Sequence, residues 1–359
     1  DAVACFALGL GLSPRVFPAP DGRKANLCIT VPDAGGGVRG GVLLSGHSDC
    51  VPVDGQAWAS DPFAVVERDG RLYGRGTADM KGFIACCLAA LPTMLAAPLS
   101  EPIHVALSYD EEVGCLGAAP FVAAVREAGL SPRLGFVGEP SMMRMIRGHK
   151  SINLVHVLLT GVSAHSSLTD RGVNAIEYAA EIVRYWRGRA DRWRAEGPFD
   201  EAYPVPYTSA SVNMIAGGNG VNIVPESCRV TLEFRAVQGV SDAVVLDELR
   251  AFCAGVEARM KAENAAASVA MEVAASTVGL DMPADADVVA LGEALGLETT
   301  PDKVTYGTEA GVFTLGGVPC VVCGPGDIGD AHRPDESIAL DQLAECDAFL
   351  GRLVDHLRA

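Results

Sequence analysis

The sequence predicts an α/β fold: a mixed, mainly parallel sheet with helices on both faces, into which a smaller α+β domain is inserted. Three observations carry this expectation. Short apolar runs alternate with helical stretches up to about residue 148, the order changes to βαββαβ from Ser151, and the first pattern resumes after about residue 276. The expected division is therefore a larger domain of residues 1–148 and 277–359 and a smaller one of residues 149–276.

In the first stretch ANLCITV and GVLLSGH read as strands, Met80 to Met94 as a helix, HVALSYDEE as a strand ending in acid, and Phe121 to Ala128 as a second helix. LGFVGEP is a further strand, closing on Gly138, Glu139 and Pro140. The inserted unit opens with SINLVHVLLTG, followed by a helix from Asn174 to Arg187 and the strands SASVNMIAG and CRVTLEFR. A helix from Asp242 to Glu263 and the strand ASVAMEVAA complete it. Then come a helix near Val288 to Leu295, the apolar strand VPCVVCG and a last helix from Asp341 to Leu357.

Composition narrows the function classes. A length of 359 residues is long enough for two domains, and 49% hydrophobic with 20% charged residues suits a soluble globular protein. A net charge of −17 and a pI of about 4.8 repel phosphate backbones and anionic lipid heads, so nucleic acid and membrane partners are set aside. An acidic cluster around cations stays open. The eleven cysteines are scattered and odd in number, which points to free buried thiols in a reducing, cytoplasmic setting. Cys320 and Cys323 form a C-x-x-C, but inside an apolar run that reads as a buried strand. The apolar segment from Phe83 to Leu99 is slightly short for a membrane span and reads as a core helix. The opening DAVACFALGLGL has no basic stretch of a secretory signal. It lacks an initiator Met and begins in what reads as a helix, so residues before it are expected to be missing from the sequence.

The chemistry-bearing residues collect at strand ends. His47 and Asp49 follow GVLLSG, and residues i and i+2 of a strand share a face. An imidazole beside a carboxylate suits a metal ligand whose second ring nitrogen is held by a partner, or simply a polar strand end. Asp79, in GRGTADMKG, precedes a helix and is either an N-cap or a ligand. The glycine spacing there matches neither a phosphate loop nor a dinucleotide fingerprint. Glu111 and Glu112 close the HVALSY strand, and Glu139 closes the next, where open α/β sheets place their sites. Neighbouring side chains diverge, so one of the two glutamates can ligate a metal while the other reaches a bound water. His332 lies in the Gly/Pro-rich loop CGPGDIGDAHRPDE. Zinc accepts this mixture of nitrogen and oxygen donors. Asp79, Glu112 and Glu139 bring three negative charges and one hydroxide a fourth, which balances two Zn2+.

These residues lie in motifs that resemble the acetylornithine deacetylase / succinyl-diaminopimelate desuccinylase family of di-zinc amidohydrolases and peptidases. The matching stretches are SGHSDCVPV, WASDPF, DGRLYGRGTADMKGF, YDEEVGCLGA, FVGEPS, SAHSSL, RGVNAIE, VNIVPE, YGTEA and GPGDIGDAHRPDE, in family order from Gly46 to Glu336. The resemblance implies that His47, Asp79 and Glu139 bind one zinc, and that Asp79 bridges to a second completed by Glu112 and His332. It implies Glu111 as general base and Asp49 as the residue that buttresses His47. His165 would reach the active site of a partner subunit, and Asn222 and Arg235 would bind the substrate's α-carboxylate. Residues 149–276 would then be a lid and dimerisation domain, hinged near 148–151 and 276–279, on a catalytic domain. GTADMKGF, RGVNAIE and YGTEA look most like the acetylornithine deacetylase branch. That branch implies a homodimer removing acetate from N-acetyl-L-ornithine in arginine biosynthesis, with Co2+ as an alternative ion. A desuccinylase, an aminoacylase and a dipeptidase of the same superfamily are the rival readings, and a non-catalytic metal-binding protein is the remote one.

Overall fold

The apolar runs of the first stretch do form one sheet in the computed structural model, which describes residues 2–359. In chain order the strands are β1 (Arg15–Pro18), β2 (Ala25–Val31), β3 (Val42–His47), β4 (Val66–Arg68), β5 (Arg71–Tyr73), β6 (Ile103–Ser108), β7 (Leu134–Pro140) and the short β8 (Gly148–His149). They continue with β9 (Ile152–Thr160), β10 (Ser209–Gly217), β11 (Ser227–Arg235), β12 (Ser268–Thr277), the short β13 (Leu280–Asp281), β14 (Cys320–Gly324) and β15 (Ser337–Ala339). The helices are α1 (Ala2–Gly9), α2 (Gly82–Ala96), α3 (Ala118–Glu127), α4 (Ala175–Glu196), α5 (Asp242–Glu263), α6 (Asp287–Ala294), α7 (Ala310–Leu315) and α8 (Leu340–His356).

The main sheet has the order β1-β2-β6-β3-β7-β14. The run β6-β3-β7-β14 is parallel, and the hairpin β1-β2 caps one edge antiparallel. Strands β3, β6 and β7 are buried along their whole length, which explains why they read as continuous apolar runs. The sheet alternation assigns its two layers. Gly46 and Gly138 turn toward α2, where an added Cβ would lie 3.0 Å from Ile84 and 2.1 Å from Phe83. Phe136 shares that face and meets Phe349 of α8 at 5.2 Å. Leu43, on the other face, lines a small cavity with Val122 of α3 and Phe313 of α7. His47 belongs to this second face, at the C-terminal end of β3. A separate antiparallel ribbon, β15-β5-β4, ties the segment after His332 to the segment before Asp79.

The second unit is the βαββαβ arrangement, an antiparallel sheet of order β10-β11-β9-β12 with α4 and α5 packed on one face. Val155, Val157 and Leu159 of β9 alternate into a core that holds Trp186, Trp193 and Phe234. Trp186 lies edge-on to both other rings, and its Nε1–H donates to the carbonyl of Ser211 at 3.1 Å, so its one polar atom is satisfied. Asn174 caps α4 by accepting from the N–H groups of Ile176 and Glu177.

Chain contacts place residues up to Gly148, Leu280–Lys303 and Thr308–Ala359 in the first unit, and His149–Gly279 with Val304–Gly307 in the second. The return crossing thus lies three residues beyond the expected 276/277, because β12 runs to Thr277. The excursion of Val304–Gly307 has no sequence signal. It is held by a bridge between His149 and Val304 and by the Arg235 guanidinium, which donates to the carbonyl of Thr305 at 3.0 Å.

Among the described residues one helical stretch, Thr77–Ala96, is long and apolar enough to cross a membrane. More than half of its apolar part is buried, and α2 packs between the sheet and α8, as a core helix does. All eleven cysteines are free, nine of them buried, and Cys320 and Cys323 lie on the buried strand β14.

Candidate metal centre

Seven of the ten singled-out residues meet at the C-terminal ends of β3, β6 and β7; for five of them the reason is topological, while Asp79 and His332 arrive on loops. Parallel strands end on the same edge, so the polar residues that terminate each apolar run arrive together. His47 and Asp79 are buried, as is Glu139. His47 Nε2 lies 2.9 Å from Oδ1 of Asp79 and 3.7 Å from Oε1 of Glu139. The other oxygen of Asp79, Oδ2, lies 3.1 Å from Nε2 of His332, which is in turn 2.9 Å from Oε2 of Glu112. One carboxylate therefore faces two imidazoles, one oxygen to each.

Asp79 owes this position to its backbone. The turn Thr77–Lys81 is wide, with Lys81 N–H reaching back to the carbonyl of Gly76 at 2.7 Å, and Asp79 itself has φ −118° and ψ 92°. Its side chain caps no helix, so the N-cap alternative is not realised. His332 has φ +62°, a left-handed conformation that costs a non-glycine residue and persists only where its surroundings impose it.

Asp49 departs from the simple buttress. The His47 Nδ1–H donates to the main-chain carbonyl of Asp49 at 3.1 Å, whereas the Asp49 carboxylate is 3.6 Å away, too far for a hydrogen bond. That carboxylate accepts the N–H groups of Glu111 at 3.2 Å and Glu112 at 3.1 Å. It thus pins the backbone of the two adjacent glutamates and sends their side chains apart. Oε2 of Glu112 meets His332, and Oε1 of Glu111 accepts from the Cys115 thiol at 3.2 Å.

The electrostatics show a cluster short of positive charge. Burial raises Glu111 to about 8; His47 opposes this, and Glu309, Asp79 and Glu112 add to it. Glu139 is pushed well above the usual carboxylate range by burial and by Asp79. Hydrogen bonds to Asp79 and Glu112 carry His332 up to about 10. Burial alone would depress His47, but the carboxylates of Asp49 and Asp79 hold it well above the ordinary histidine value. Burial likewise disfavours the Asp79 anion, yet His332 and His47 keep its carboxyl well below the usual range. Protons on imidazoles and buried acids are supplying charge that cations would supply better.

Glu309 is a member that the motif reading passed over, although YGTEA contains it. It is buried, with neither carboxylate oxygen hydrogen-bonded, and burial raises it to about 7. Its signals in the sequence are its place in YGTEA and the apolar run AGVFTL that follows it.

The other three residues belong to the second unit. His165 Nδ1 pairs with the Ser167 hydroxyl at 2.8 Å, and its strand bridge to Ile223 puts it beside Asn222. Both sit at the end of the sheet where β11 begins. Arg235 closes the opposite end of β11, bound to Glu233 at 2.6 Å, about 26 Å of extended strand away. One copy of the unit does not bring Asn222 and Arg235 to a single carboxylate.

The profile of Peptidase family M20/M25/M40 matches residues 43–356. The chain belongs to that family. An acetylornithine deacetylase of Myxococcus xanthus is 37% identical over 93% of this chain and 84% of its own length. One from Proteus mirabilis (strain HI4320) is 34% identical over 97% and 86%. A tripeptidase from Staphylococcus aureus superposes with a TM-score of 0.72 at 19% identity, covering 99% of this chain and 91% of its own. The YXEP protein of Bacillus subtilis, described as a dinuclear metal binding peptidase, does so with 0.60 at 14%, covering 99% and 91%. This chain is accordingly a metal-dependent hydrolase of amide or peptide bonds.

The donor set fits the metals this family implies. Ligand atoms of His47, Asp79 and Glu112 lie within 4.8 Å of one another, as do those of His47, Glu111 and Glu139. Oε1 of Glu112 is buried without a hydrogen-bond partner, an acceptor left for a cation.

Proposed function

We propose that the protein removes the acetyl group from N-acetyl-L-ornithine, giving L-ornithine and acetate for arginine biosynthesis, with two zinc ions at this centre. The placement of Asp79, one oxygen toward each imidazole, is the observation that carries the two-ion reading. In it His47 and Glu139 serve one ion, Glu112 and His332 the other, and Asp79 both. The acetyl and ornithine assignments draw on relatives 33–37% identical over nearly the whole chain.

Bound zinc supplies a Lewis acid for the amide carbonyl and lowers the pKa of a water toward neutrality. Glu111 takes the proton of the attacking water on its carboxylate and delivers it to the departing nitrogen. The cations would favour the ionised form that Glu111 needs before the first transfer. Asp49 fixes where the base stands, through the N–H of Glu111. Arg235 offers a guanidinium to the substrate's α-carboxylate. His165 and Asn222, at the far end of β11, act on the site of a second copy, His165 as a donor to the developing oxyanion. That division of labour supports a homodimer. The buried free thiols suit a cytoplasmic enzyme.

The test is a substrate panel on the zinc-loaded protein. N-acetylornithine should be hydrolysed with the highest kcat/KM among it, N-succinyl-diaminopimelate, other N-acyl amino acids and dipeptides. A tenfold preference for a succinyl amide or a dipeptide overturns the substrate assignment. Asp79→Ala should bind less than two equivalents of zinc, and two full equivalents overturn the bridging role.

A further inference from the structure

Three side chains outside the ligand set converge on both ends of the centre. Arg75 and Glu336 form an ion pair, Nη1 to Oε2 at 2.5 Å, with both side chains 1% exposed. The other oxygen of Glu336 accepts the N–H of Ala78 at 3.0 Å and the N–H of Asp79 at 3.1 Å. The same carboxylate that neutralises Arg75 thus grips the backbone of the residue facing both imidazoles. Arg75 Nη2 donates to Oε1 of Gln56 at 2.6 Å, and Gln56 Nε2 donates to the carbonyl of His332 at 3.1 Å. Arg75 Nη1 also reaches the carbonyl of Arg333, and the guanidinium lies 5.1 Å from the ring centroid of Trp58, whose Nε1–H donates to Gln56.

The chain Asp79–Glu336–Arg75–Gln56–His332 is therefore continuous, and each link is directional. It meets a physical need at either end. Asp79 sits in a turn whose dihedral angles are not helical, and His332 is left-handed, so neither backbone holds its position by local preference. A buried ion pair contributes little net stability over apolar residues of the same size, so stability alone does not account for this one. We infer that Arg75, Glu336 and Gln56 are positioning residues, a latch that presets Asp79 and His332 for the ion completed by Glu112 and His332. The inference rests on the two-ion reading above. In the sequence its members lie in GRG, RPDE and DGQAW, where nothing marks them as partners.

The experiment is a titration of the metal-free, full-length protein with Zn2+ by calorimetry and with Co2+ by visible absorption. Neither readout depends on turnover. The binding phase missing in His332→Ala identifies the ion at issue. Gln56→Ala, at a half-buried position, should weaken that phase by about 10- to 100-fold and leave the other within threefold. Glu336→Ala should weaken the same phase at least as much, with some loss in the other because Asp79 serves both. Glu336→Gln, which keeps an acceptor for the two N–H groups, should recover part of the loss. Melting of the metal-free variants verifies that each is folded, and Gln56→Ala decides the matter if Glu336→Ala is not. Unchanged Zn2+ and Co2+ titrations in folded variants overturn the latch while leaving the two-ion reading intact. A wild-type protein that binds fewer than two ions overturns that reading and the latch with it.

Discussion

Replacing Asp49 by asparagine separates two jobs that one carboxylate could perform. If Asp49 acts through the His47 ring, the change should reach that imidazole alone. In the structure its two oxygens are instead spent on the N–H groups of Glu111 and Glu112. Each is a charge-assisted bond, with a net value of about 1.5–3 kcal/mol. Asparagine keeps one acceptor, now uncharged, and turns an N–H against the other donor. The local loss is about 2–4 kcal/mol, and the 24% exposure of the carboxylate places it toward the lower end. Since about 1.4 kcal/mol is a factor of ten, the amides at 111 and 112 should exchange with solvent about 30-fold faster, up to several hundredfold. Hydrogen exchange read by mass spectrometry on the metal-free protein, over peptides spanning 109–116, measures this directly. Exchange within threefold of wild type would refute the backbone role and return Asp49 to the imidazole.

Three further outcomes follow from the same geometry. Glu111→Gln should lower kcat by about 100- to 10,000-fold with both zinc equivalents retained, since the proposed function makes Glu111 the base and not a ligand; kcat within tenfold of wild type removes it from that role. Burial depresses His149 to about 4 in the fold, so its neutral form stabilises the protein above pH 6.5 and that contribution fades as pH falls from 6.5 toward 4. The full effect is about 3 kcal/mol, and His149→Asn should flatten the acid limb of a urea-midpoint profile over this window; an unaltered slope refutes the assignment. In the proposed homodimer, mixing inactive Glu111→Gln and His165→Ala proteins under subunit exchange should restore activity at one site in each hybrid, and a mixture that stays inactive counts against a shared site.

Much of the fold was legible because burial on both faces writes itself into a parallel strand as an unbroken apolar run. GVLLSGH, HVALS and LGFVGEP read as buried strands, and the acids or histidine closing each run emerge on one edge because the three strands are parallel neighbours. The inserted unit was legible through alternation: Val155, Val157 and Leu159 point inward and their neighbours do not. What local pattern could not carry was anything held by the other end of the chain. Val304–Gly307 has no periodicity, and its place beside His149 and Arg235 is visible only in three dimensions. The role of Glu309 has the same limit, since YGTEA marks the residue but only the fold shows that it is buried beside the centre.

The residue types and their places at strand ends were thus written in the sequence, because alternation and apolar run length are short-range properties. Tertiary structure alone decided how the donors share the work. It turned the two oxygens of Asp79 to two imidazoles distant in the chain, and it spent the Asp49 carboxylate on the backbone of Glu111 and Glu112. It also put Arg235 at the opposite end of β11 from His165 and Asn222. Each of these depends on where a side chain's second oxygen or a strand's far end comes to lie. Such placements arise from packing between distant segments, which no local pattern of residues encodes.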